Sequence, residues 1–61
     1  MMDEIAYFRQ RCADHQRLAR KATRLSVKRA HLAFVQAYTN RIAELVEARR
    51  EAHLAAARAA A

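Results

Sequence analysis

The feature that most limits this chain is an absence: its 61 residues include no glycine and no proline. Tight β-hairpin turns call for residues at positive φ, which glycine adopts without steric cost, so the chain is poorly equipped for hairpins and sheets. Ala, Leu, Arg, Lys, Glu and Gln dominate instead, and these are the good helix formers. The expected fold class is therefore all-α. A chain this short makes one domain at most and leaves enough surface exposed that a lone monomer is marginal. Small scaffolds usually escape this through disulfides, a metal or a partner. The single cysteine, Cys12, cannot close an internal disulfide, which leaves association, most simply with a second copy.

Two apolar stripes run along the chain. Ile5, Phe8, Cys12, His15, Ala19 and Ala22 recur at alternating steps of three and four, with Tyr7 and Leu18 widening the stripe. Asp3 and Glu4 fall where carboxylates favour a helix N-terminus. The second stripe reads Val27, His31, Phe34, Tyr38, Ile42 and Leu45, flanked by Leu32, Val35 and Val46. The spacing predicts helix 1 at about 3–22 and helix 2 at about 26–57. Thr23 and Ser26 between them can each cap a helix, although Arg29 stands where a capping box needs Glu or Gln.

The two stripes do not share a register, which favours an antiparallel hairpin turning near Arg24 and Leu25. The alternative is one continuous helix assembled as a coiled coil. In the hairpin, Leu18 would face His31, His15 would face Phe34 or Val35, Cys12 would face Tyr38, Phe8 would face Ile42, and Ile5 would face Leu45. The predicted seam, within the chain or between copies, is Ile5, Phe8, Cys12, Leu18, Phe34, Tyr38, Ile42 and Leu45. Two such hairpins are expected to associate into a four-helix bundle. The domain organisation is then a helical hairpin over 1–48 and an Ala-rich helical extension over 49–61, which buries little and frays toward its end.

The segments "DEIAYFRQRCADHQRLARKAT" and "KRAHLAFVQAYTNRIAEL" carry further features in order. These are Tyr7, the R-x-R of Arg9 and Arg11, Leu18-Ala19 before Ala22-Thr23, then His31-Leu32, Tyr38, and Arg41, Ala43 and Leu45. Over residues 3–46 the chain resembles a group of short, uncharacterised helical-hairpin proteins of alphaproteobacteria. The resemblance implies a two-helix turn and no particular activity. Where that group often has Asp-Pro at the turn, this chain has Arg24-Leu25, so the resemblance supplies no sharp helix stop.

Candidate sites follow from charge and chemistry. The formal net charge is +6, and Arg17, Arg20, Lys21, Arg24, Lys28 and Arg29 gather at the expected turn. These six are the candidate site for a nucleic acid or an acidic partner, since affinity for phosphates grows with basic contacts and falls with salt. A solvated end complementing the dipole of helix 1 is the plainer reading. Cys12 and His15 stand three apart with His31 opposite, half of a zinc ligand set with no fourth member in one chain. No metal and no cofactor are expected. The acids on helix 2 lie off the apolar stripe, and no nucleophile, base and orienting group can be assembled, so no catalytic residues are assigned and the chain reads as a non-enzyme. Tyr7, Phe8, Phe34 and Tyr38 at helical spacing read as core rather than as a recognition surface. No apolar run approaches the length of a membrane span, and the acidic start has no signal-peptide pattern, so integral membrane insertion is not expected and the cytoplasm is the expected location. An amphipathic helix 2 lying on an anionic membrane would place Glu44 and Glu47 on its polar face, where Lys and Arg are preferred. The functional expectation is a small non-catalytic interaction module, self-associating as a homo-oligomer (a dimer) and binding a partner protein. The alternative is a small basic protein associated with nucleic acid through the turn cluster.

Overall fold

The computed structural model describes residues 3–61 and is an all-α hairpin of two helices, α1 (Glu4–Lys21) and α2 (Leu25–Ala60). Asp3 opens α1 as its N-cap, its side chain accepting the Ile5 amide at 3.3 Å. This meets one of the amides that every helix start leaves without a partner. Glu4 in the first turn and Arg20 and Lys21 in the last turn suit the helix dipole at both ends. Ala22 closes α1, donating its backbone N–H to the Leu18 carbonyl at 3.0 Å and the Ala19 carbonyl at 3.4 Å.

The reversal occupies Ala22, Thr23 and Arg24. Ala22 (φ −65°, ψ 131°) and Arg24 (φ −96°, ψ 132°) are both extended, and no described residue has a positive φ. Two extended residues are enough to turn the chain, which is why no glycine is required. α2 starts at Leu25, one residue before the expected start, with Arg24 at the N-cap and no side-chain cap bond. Ser26 therefore stands inside the helix rather than capping it. At the other end α2 persists to Ala60, past the expected 57, because nothing in "AAARAAA" stops a helix.

The helices run antiparallel: Asp3 meets Arg49, Cys12 meets Val35, and His15 meets His31. The seam follows a three–four alternation on each side. On α1, Ile5, His15 and Ala19 are buried, and Phe8, Cys12 and Ala22 half-buried; on α2, His31, Val35, Tyr38, Ile42 and Leu45 are half-buried and nothing is fully buried. Leu18 and Phe34 do not sit inside this seam, being 40% and 50% exposed, and Val27 at 42% does not either. Near the turn the stripe runs through Ala19 and Ala22 on one side and His31 and Val35 on the other. Small residues there bring the helices together, and the larger neighbours are turned to the flanks.

The registry lies within about a turn of the expected pairing. His15 stacks on Phe34, with ring centroids 4.6 Å apart, as anticipated. His31 pairs with His15 instead of Leu18. Cys12 sits between Val35 and Thr39, the residues bracketing the Tyr38 level. The ring nearest Phe8 across the seam is Tyr38, at 5.6 Å. At the open end Arg49 forks onto the Asp3 carboxylate and Arg41 reaches Glu4 at 3.8 Å. Beyond Arg49, α2 continues for Arg50–Ala60 with no helix of the described residues beside it.

Candidate interaction surface

Rings form a ladder across one flank of the hairpin. Tyr7 meets Phe8 at 5.4 Å, Phe8 meets Tyr38 at 5.6 Å, and Tyr38 meets His15 at 5.8 Å and Phe34 at 6.2 Å. Tyr7 and Leu18 are eleven apart on α1 and so share a face, as do Val27 and Phe34, seven apart on α2. The ladder joins Tyr7 to Phe34, which places these exposed side chains on one side of the molecule and draws that face from both helices. Leu25, Leu32 and Val46, spaced by seven and fourteen, mark a second exposed stripe confined to α2. The aromatic residues thus divide: Phe8 and Tyr38 are half-buried at the seam, and Tyr7 and Phe34 are largely at the surface.

His15 is the one buried polar side chain among the described residues. Its Nδ1 lies 2.8 Å from His31 Nδ1, and its Nε2 lies 3.4 Å from Arg11 Nη2. A guanidinium only donates, so His15 Nε2 accepts, its proton sits on Nδ1, and that proton is donated to His31 Nδ1. The pair is satisfied only while His15 is neutral. Burial holds its pKa below the ordinary histidine value; Arg11 and His31 push the same way, and Asp14 opposes them. Arg11 Nε is closed off from solvent without a partner, so this corner carries one cation already at some cost.

Cys12 does not join the histidines. Its Sγ lies 3.9 Å from the Val35 carbonyl and 3.7 Å from Thr39 Oγ1. Among the described residues no three metal-ligating side chains converge, and no cavity is enclosed. No helix there is long and apolar enough to cross a membrane.

The six basic residues singled out in the sequence do assemble around the reversal: Arg17, Arg20 and Lys21 on the last turns of α1, Arg24 at the cap, and Lys28 and Arg29 on the first two turns of α2. Among the described residues, only Arg17 of the six has a carboxylate partner, Asp14 at 3.4 Å. The other ion pairs, Arg11–Asp14, Arg41–Glu4, Arg41–Glu44 and Arg49–Asp3, belong to the middle and the open end. That separation was not drawn from the sequence, although the positions of the six acids already contain it. Comparison of the chain with family models, curated proteins and solved structures finds no match.

Proposed function

We propose that the protein is a small non-catalytic helical interaction module that associates with itself through its aromatic flank and binds a partner protein through apolar surface that remains. The observation that carries this reading is surface area. The hairpin exposes 4995 Å², whereas a compact monomer of its mass exposes about 4,000 Å². The excess of about 1,000 Å² is comparable to the ~800 Å² that each partner buries in a standard protein interface. The flank bearing Tyr7, Leu18, Val27 and Phe34 is the favoured contact, because two hairpins stacked as a four-helix bundle must meet over a face built from both helices.

Sedimentation equilibrium across the micromolar range tests the reading. The wild type should show a concentration-dependent dimer, and Val27→Glu with Leu18→Glu should give a monomer that keeps its helical circular dichroism. Neither residue fills the intrachain seam, so loss of the dimer would not reflect loss of the hairpin. A wild type that stays monomeric and well folded through that range overturns self-association.

A further inference from the structure

The turn end combines two kinds of exposed side chain that association through the aromatic flank leaves free. The first is charge. Residues 15–40 hold six of the twelve Lys and Arg and none of the six Asp and Glu, so the rest of the chain balances six cations against six acids. The whole formal charge of +6 therefore sits around the reversal. The second is apolar: Leu25, at the tip, is 59% exposed, the most exposed large hydrophobic side chain among the described residues.

We propose that the turn end is a docking surface for an anionic lipid bilayer, with the cations over the headgroups and Leu25 entering the interface between them. Charge complementarity alone fits any polyanion. Leu25 decides between them, since a phosphodiester backbone offers an isolated leucine nothing, whereas the headgroup–acyl boundary takes its side chain out of water. The long stems of Arg20, Lys21, Arg24 and Lys28 can lie along that boundary while their heads stay wet. A nucleic-acid surface would call for rings on which bases stack, and none stands at the tip; Phe34, the Phe or Tyr closest to the reversal in sequence, is stacked on His15. The end-on geometry also resolves the difficulty with a helix lying flat, because Glu44, Glu47 and Glu51 are far along α2 from the surface that docks.

Co-sedimentation of the full chain with vesicles tests this, using phosphatidylcholine alone and phosphatidylcholine mixed with phosphatidylserine. The protein should pellet with the mixed vesicles at low salt, stay in solution with phosphatidylcholine, and be released as salt shortens the screening length. Arg24→Gln with Lys28→Gln should weaken binding roughly 25-fold, at about fivefold for each cation at an anionic surface. Leu25→Ser, which leaves the charge unchanged, should weaken it about tenfold. Leu25→Gln, a better helix former, repeats that measurement should serine disturb the start of α2. Absence of binding to the mixed vesicles at low salt overturns the proposal. So does equal vesicle binding by the wild type and both Leu25 variants, or displacement from vesicles by single-stranded RNA at equal phosphate concentration, either of which would mark the end as a polyanion site.

Discussion

His15 and His31 meet nitrogen to nitrogen, and that geometry tolerates one arrangement of protons. The unfolded chain takes up a proton on His15 near the ordinary histidine value of about 6.5, whereas in the hairpin burial, Arg11 and His31 hold that proton off until a lower pH. Between the two values the unfolded state binds more protons, so stability is full above about 6.5 and falls as pH drops below it. The melting temperature should decline as pH is lowered from about 7 toward 5, and His15→Leu with His31→Leu should flatten that decline. Equal slopes for the wild type and the double variant would show that the pair does not set the pH response. Asp3 acts in a separate window. Its hydrogen bond with Arg49 holds its carboxyl below the usual range, so its contribution is present at neutral pH and is lost only in stronger acid. At this scale the sequence placed His15 on the seam opposite Phe34 or Val35, and the stack on Phe34 is found, but it did not reveal the contact with His31. His15 could find Phe34, Val35 or His31 through a shift of about one turn, and apolar spacing alone does not distinguish those registers.

A reversal built from extended residues and an unusually long α2 are the two element-level features. Arg24 occupies an N-cap with ψ 132° and Leu25 the first helical position, the backbone that Asp followed by Pro prefers. Arg24→Asp with Leu25→Pro should raise stability by about 1 kcal/mol by supplying the missing side-chain cap, read as a higher midpoint in chemical denaturation. In a continuous helix the same change would insert an interior proline and cost ~3 kcal/mol or more, so a lower midpoint would contradict the hairpin. Deleting residues 50–61 should reduce helical circular dichroism and leave the unfolding transition almost unchanged, because Arg49 and its contact with Asp3 remain. Failure of the shortened chain to assemble would show that the Ala-rich stretch packs on a second copy. Both helices were legible from their spacing within a few residues. The seam near the turn was less so, because large side chains dominate an apolar pattern while the close approach depends on Ala19 and Ala22. That is why Leu18 and Phe34 stood in the expected seam and are found on its flank.

Taken whole, the molecule is a rod. Its radius of gyration is 16.0 Å, against about 10.5 Å for a compact chain of this length, and its longest axis of 56 Å is essentially α2 itself. A shape so open for its size makes its folded population depend on concentration wherever a second copy covers the aromatic flank. Thermal melts at increasing protein concentration should shift upward, and a midpoint independent of concentration would count against dimerisation. The same axis carries the electrical asymmetry of the chain. α1 cancels the peptide dipoles of α2 over its own length, and the stretch of α2 beyond Arg49 is left with its negative pole at Ala60. Side-chain charge and residual backbone dipole therefore point the same way, giving the rod a permanent moment along its length. In the field of an acidic surface it experiences a torque before it makes contact, and it arrives turn first. The Debye length in physiological salt is about 8 Å, a small fraction of the rod, so the leading end is held while the far pole is scarcely sensed. Such a molecule would stand upright on what it meets and present its open end, the Ala-rich helix, to whatever comes next.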